Sequence, residues 1–226
     1  MTDPATEDNP ILATIAKKIA DTDRFFWDAA VALAVNGISG DYVEFGSWGG
    51  NTLRLAHERF THAGRPRHLW AFDSFQGLPE AADPRDHHPG WYSGGAGQGG
   101  VEAFRAMCDD HGVPRSAYTT VVGYYDETLP ALGDGGPTDV ALAYLDCNMY
   151  SSTVAALDFL SPRLKQGMVL AFDDYWCWSA GDVSGERSAF LEFTAAHPQW
   201  HFERFKDVNW GGLSFVVELA DRLTPR

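Results

Sequence analysis

Cysteine, basic charge and long apolar runs are all scarce in this chain. Its three cysteines, Cys108, Cys147 and Cys177, form no CxxC pair. An odd number in a chain of 226 residues argues against a disulfide framework and for reduced thiols in a cytosol. Lys and Arg total 17 against 31 Asp and Glu, a formal net charge of −14. That field repels nucleic-acid phosphates and anionic membranes, and no basic block offsets it. No stretch approaches the roughly 18 apolar residues a membrane helix needs. The acidic opening, with Asp3, Glu7 and Asp8, does not read as a secretory signal. The expectation is a cytoplasmic globular protein with neither a nucleic-acid nor a membrane partner. What is present is a 45% hydrophobic content, ample for the core of a single domain over residues 1–226.

Apolar residues recur at helical spacing from Ile11 to about Val35, with a break at Asp21-Thr22-Asp23 where Asp or Thr can cap a new helix. Two N-terminal helices within residues 1–37 are the simplest reading. Residues 42–45 then read as a strand, 46–52 as a glycine turn and 53–60 as a helix. Strand-like runs follow at 68–73, 118–122, 140–146 and 167–174, alternating with helical patterns at 101–108, 153–164 and 186–196. Two last runs, 200–205 and 213–219, flank the turn Asn209-Trp210-Gly211-Gly212 and suit an antiparallel hairpin. Nearly continuous apolar strands joined by helices predict an α/β, Rossmann-like fold: a mostly parallel seven-stranded sheet with an antiparallel last strand and helices on both faces. The glycine-rich residues 93–100 read as a mobile loop, and 80–100 as a lid.

Ligands of open α/β sheets sit beyond the carboxyl ends of the strands, so the acids there are the candidates. Glu44 lies at the end of the first strand, before Gly46, Gly49 and Gly50; Asp73 ends the second, 27 residues after Gly46, where an acid can hold ribose hydroxyls. The alternative is an ordinary tight strand-to-helix turn. Trp48 replaces the second glycine of a G-x-G-x-x-G fingerprint and would crowd a pyrophosphate, which favours a nucleoside without phosphates over a dinucleotide. Asp146 closes the fourth strand, and Asp173 with Asp174 closes the fifth. Three clustered carboxylates repel one another unless something cationic neutralises them, and hard oxygen ligands suit Mg²⁺, Ca²⁺ or Mn²⁺. The bland reading makes Asp146 a helix cap and Asp174 a turn residue.

Five segments, Glu44-Phe45-Gly46-Ser47-Trp48-Gly49-Gly50-Asn51-Thr52, Phe72-Asp73-Ser74-Phe75-Gln76-Gly77-Leu78-Pro79, Gly123-Tyr124-Tyr125-Asp126-Glu127-Thr128-Leu129-Pro130, Leu145-Asp146-Cys147-Asn148-Met149-Tyr150-Ser151-Ser152-Thr153 and Phe172-Asp173-Asp174-Tyr175, occur in this order. Together they resemble the macrocin O-methyltransferase family, over about residues 40–195. The resemblance implies a class I methyltransferase that uses S-adenosylmethionine and Mg²⁺ to methylate a hydroxyl of a small natural product, and it implies a homo-oligomer. It also implies that Glu44 and the turn residues Gly46, Ser47, Asn51 and Thr52 flank the methionine part of the cofactor. Asp73 would grip the ribose with Ser74 nearby, Gly123 and Tyr124 would border the adenine, and Asp146, Asp173 and Asp174 would hold the metal.

The sequence departs from the family at one point: where relatives commonly carry Asp-x-Asp-x-Tyr, it has Asp146-Cys147-Asn148-Met149-Tyr150, and Asn148 cannot accept a proton. His87 and His88, in the 80–100 segment, are the replacement bases to test. Trp91, Tyr92, Tyr150 and Trp176 are candidates for the acceptor pocket, and Glu186 for a residue facing the site. The rivals are a metal-dependent hydrolase built on the Asp cluster, which would need no cofactor cradle, and a non-catalytic binding protein on the same fold. A nicotinamide-dependent oxidoreductase is weaker, because of Trp48.

Overall fold

A computed structural model of the chain describes residues 10–95, 97 and 99–223. The chain opens with one long helix, α1 (Pro10–Val35), and then alternates: β1 (Asp41–Phe45), α2 (Asn51–His62), β2 (Leu69–Asp73), α3 (Gly100–Asp110), β3 (Tyr118–Val122), α4 (Tyr125–Leu132), β4 (Val140–Leu145), α5 (Tyr150–Leu160), β5 (Val169–Phe172), α6 (Gly185–Ala196), β6 (Trp200–Asp207) and β7 (Leu213–Leu219). The seven strands form one sheet in the order β3-β2-β1-β4-β5-β7-β6. Strands β1 to β5 pair in parallel, and β7 runs antiparallel to both β5 and β6.

The sheet is buried on both faces because its strands carry large apolar residues at alternate positions that point to opposite sides. Tyr42, Leu69, Leu142 and Tyr144 face one core with Phe25, Phe26 and Leu33 of α1, Leu53 and Phe60 of α2, and Phe104 of α3. Val43, Phe45, Phe72, Leu145 and Phe172 face the other, with Leu129 of α4, Leu157 and Leu160 of α5, and Phe190 and Phe193 of α6. At roughly 25 cal/mol per Å² of apolar surface, these two layers are the main stabilising term of the fold.

The expected break in the first helix does not occur. The polar residues at 21–23 that read as caps are used sideways instead. Lys17 pairs with Asp21 one turn on, buried Thr22 accepts a hydrogen bond from Asn209 at 3.3 Å, and Asp23 takes a bidentate bridge from Arg59 at 2.6 and 2.7 Å. With no Gly or Pro between 11 and 35, nothing else stops the helix.

The segment after β2 is tied down where it is described. Leu78 exchanges backbone hydrogen bonds with Gly94 and Gly95, closing a loop. Within it, Asp83 caps a turn at Pro84–Asp86. Asp86, 2% exposed, accepts from the backbone N–H groups of Ala82 and Asp83, both at 2.9 Å, and from Ser151 N at 2.8 Å. A carboxylate thus meets the first turn of α5, where free N–H groups and the helix dipole favour a negative charge. Of the run expected to be a mobile loop, Ala96 and Gln98 lie outside the described residues. No helix among the described residues is long and apolar enough to cross a membrane.

Candidate active site

Strand register builds the site. Phe45 is level with Phe72 and with Leu145, and Leu145 is level with Phe172. The next residue of each strand, Gly46, Asp73, Asp146 and Asp173, therefore falls in one row along the carboxyl edge. Backbone bonds Gly46 N to Phe72 O, Asp146 N to Phe45 O and Asp173 N to Leu145 O, each 2.8 Å, hold that row. The sheet order reverses between β2-β1 and β4-β5, which opens a crevice above it. A cavity of about 550 Å³ lies there, lined by members of that row, by Ser74, Tyr124, Asn148 and Asp174, and by Trp48, Leu78, Glu80 and Trp91 from the flanking loops.

On the β1-β2 side, Asp73 organises the turn. Its Oδ2 accepts from Ser47 N at 2.7 Å and Trp48 N at 2.8 Å, and Oδ1 accepts from Phe75 N at 2.6 Å. A carboxylate oxygen can accept two hydrogen bonds, so Oδ1 retains capacity for a ligand hydroxyl. Gly46 adopts φ +92°, and a Cβ there would lie 2.0 Å from the carbonyl oxygen of Asp146, so only glycine lets the β1 and β4 loops approach. Beneath the turn Glu44 is fully buried, with Oε2 accepting from the Tyr42 hydroxyl and the hydroxyls of Thr52 and Ser47 also directed at its carboxylate. Burial pushes the Glu44 carboxyl up to about 7, against the pull of the Tyr42 hydroxyl. A glycine turn beside a carboxylate with spare acceptor capacity suits a polar ligand with hydroxyl groups.

On the β4-β5 side, one carboxylate oxygen from each of Asp146, Asp173 and Asp174 lies within 4.8 Å of the others. Burial, then the charges of Asp173 and Asp174, hold Asp146 well above the usual carboxylate range. Asp174 is pushed up to about 6, first by burial and then by Asp173. Asp173 accepts from the Tyr144 hydroxyl at 2.5 Å, from Asn209 Nδ2 at 2.8 Å and from Lys18 Nζ at 2.6 Å. Three hard oxygen donors at this spacing fit an oxygen-coordinated divalent cation.

The loop between Asp146 and α5 is held from below by Glu186, fully buried at the start of α6. Its Oε1 accepts from Cys147 N at 3.2 Å and Asn148 N at 3.3 Å, and its Oε2 from Asp174 N at 2.9 Å. Asn148 adopts φ +61°, a left-handed conformation that asparagine tolerates, and its amide donates to Asp174 Oδ2.

Several residues marked in the sequence are placed elsewhere. Asn51, Thr52 and Gly123 do not line the cavity, and Glu44 and Ser47 lie under its floor. His87 is exposed; His88 stacks on Trp91 at 4.1 Å between ring centroids, so it meets the cavity only through that ring. Tyr92 is 74% exposed. The Tyr150 ring lies under Arg85 and its hydroxyl donates to Glu192, while Trp176 packs against Tyr175, Trp178 and Arg187. Conversely, Lys18 and Asp126 line the cavity without having been singled out. Asp126 lay within a quoted motif; Lys18 carried no local signal.

A family model described as macrocin-O-methyltransferase (TylF) matches residues 6–198. The chain is 33% identical over 147 residues to the 8-demethyl-8-(2,3-dimethoxy-alpha-L-rhamnosyl)-tetracenomycin-C 4'-O-methyltransferase of Streptomyces olivaceus, covering 62% of this chain and 54% of that one. It thus spans about half the length of this curated relative. Among solved structures it is similar to the O-methyltransferase NovP, with a TM-score of 0.70 at 21% identity over 87% of this chain and 79% of that one. It is also similar to an O-methyltransferase from Bacillus cereus in complex with SAH, with a TM-score of 0.57 at 12% identity over 95% and 84%. With a match over most of its length, five motifs in order and the class I sheet beneath them, the chain belongs to the macrocin O-methyltransferase family.

Proposed function

We propose that this protein transfers the methyl group of S-adenosylmethionine to a hydroxyl of a sugar or other small natural product, with a divalent cation at Asp146, Asp173 and Asp174. The observation that carries the reading is the single row of strand ends that sets a glycine turn and a ribose-type acid beside a three-carboxylate cluster in one cavity. The cofactor supplies an electrophilic methyl on a sulfonium, and the cation supplies a Lewis acid that lowers the pKa of an acceptor hydroxyl.

The chain's own residues do the rest. Asp73 Oδ1 holds a ribose hydroxyl, and the glycine turn it braces takes the methionine end. Trp48, Trp91, Tyr124 and Tyr125 wall the cavity with aromatic surface and keep water from the reacting atoms. Asn148 holds Asp174 in place through its amide and takes no proton. The lining carries Asp73, Glu80, Asp126, Asp146, Asp173 and Asp174 against the single ammonium of Lys18. This acidic wall stays negative with a sulfonium cofactor and a divalent cation in place, which favours an uncharged or aminated glycoside over a nucleotide-activated sugar.

Calorimetric titration with S-adenosylhomocysteine, once with Mg²⁺ and once with EDTA, tests the reading without knowledge of the acceptor. Binding is expected in both runs, weakened by Asp73→Ala, while Asp146→Ala and Asp174→Ala lose the response to Mg²⁺ and retain the ligand. Absence of binding in both runs would overturn the cofactor assignment.

A further inference from the structure

The carboxylate cluster already contains a cation from the chain. Lys18 reaches it from α1, 155 positions before Asp173 in sequence, and places Nζ 2.6 Å from Asp173 Oδ2. The other oxygen of Asp173 belongs to the fold, through Tyr144 and Asn209, so Lys18 holds the one that the surrounding strands leave open. Lys18 is the least exposed residue between Ile11 and Ala20, and its contact brings the first half of α1 to the cavity mouth. Thr22, one turn further on, shares Asn209 with Asp173 and continues the same connection.

An ammonium and a divalent cation cannot both sit against one carboxylate oxygen without strong mutual repulsion, since their Coulomb energy at a few ångströms exceeds that of an ordinary ion pair. A lysine stem is flexible and its ammonium is readily rehydrated, so it is the partner that can leave. We propose that Lys18 and the divalent cation compete for Asp173 Oδ2, so that loading the metal site releases the first half of α1 from the cavity mouth. The inference rests on reading Asp146, Asp173 and Asp174 as a metal site. It adds a coupling between that site and a helix that contributes no metal ligand.

Mn²⁺ binding followed by electron paramagnetic resonance on wild type, Lys18→Met and Lys18→Arg tests it. Lys18→Met is expected to bind Mn²⁺ at least about tenfold more tightly, because a competing charge is gone, and Lys18→Arg to keep the wild-type affinity. Hydrogen exchange of the peptide covering residues 10–22 is expected to quicken with Mn²⁺ in wild type and to be fast and insensitive to Mn²⁺ in Lys18→Met. Equal or weaker binding by Lys18→Met, or Lys18→Arg binding as tightly as Lys18→Met, overturns the competition; exchange indifferent to Mn²⁺ in wild type overturns the release. If no variant binds Mn²⁺ while thermal melting shows each to be folded, the metal reading itself fails and this inference with it.

Discussion

Replacing Glu44 by glutamine should make the protein more stable at high pH, and the size of the gain follows from where the carboxyl lies. Burial raises it from 4.5 to about 7. Between those values the folded chain holds a proton that the unfolded chain has released. The contribution of Glu44 to stability is therefore whole below about pH 4.5 and is lost as pH rises through about 7. At about 1.4 kcal/mol per unit, the ionised carboxylate costs the fold about 3 kcal/mol above both values. Glutamine does not titrate, its carbonyl can accept from the Tyr42 hydroxyl, and its amide N–H can donate to the Thr52 or Ser47 hydroxyl oxygen. The stability difference between Glu44→Gln and wild type should grow by about 2–3 kcal/mol from pH 5 to pH 8.5. Urea unfolding at the two pH values measures it. A difference that is flat or shrinks with pH would refute the placement of a titrating carboxyl under the glycine turn.

Gly46→Ala should cost about 3 kcal/mol, since it combines a φ of +92° with a Cβ 2.0 Å from a backbone oxygen of the neighbouring loop. A thermal melt within a degree or two of wild type would show that the β1 and β4 loops are free to part. Asp86→Ala strips the backbone N–H groups of Ala82, Asp83 and Ser151 of a buried acceptor, at about 1–3 kcal/mol. Limited proteolysis should then cut within residues 80–95 well before the body of the domain; a digestion pattern like that of wild type would place the anchor elsewhere.

The sheet was legible because its information is local. Each of β1, β2, β4 and β5 is a short apolar run followed by or ending in an acid or a glycine, and with a parallel register the run ends fall level, so Gly46, Asp73, Asp146 and Asp173 could be placed in one crevice from their positions alone. The residues that the structure places differently share the opposite property. Asp21, Thr22 and Asp23 carry the chemistry of a helix cap, but Arg59 and Asn209, distant in sequence, use two of those side chains, so the helix runs on. Tyr150 sits in a motif beside the clustered acids, but its place in the first turn of α5 puts its ring against Arg85 and its hydroxyl on Glu192. The histidines at 87 and 88 sit on a loop whose path is set by Asp86 bonding to α5, 65 residues later. With the loop pinned there, His87 is left in solvent and His88 against Trp91.

The same division runs through the site itself. Which carboxylates gather is decided by strands, whereas what satisfies them is decided by segments that meet only in the folded chain: Glu186 bonding the loop backbone, Asn148 bonding Asp174, Lys18 bonding Asp173. A motif therefore identifies a set of donors but is silent on their existing partners. In this chain one of those partners is a cation, and a second is an amide standing where relatives commonly carry an acid. Both features reduce the negative charge of the cluster, from positions 130 residues apart. Substituting only one of them leaves the charge effect of the other in place, so Lys18 and position 148 should be varied together before either is assigned a role by its effect alone.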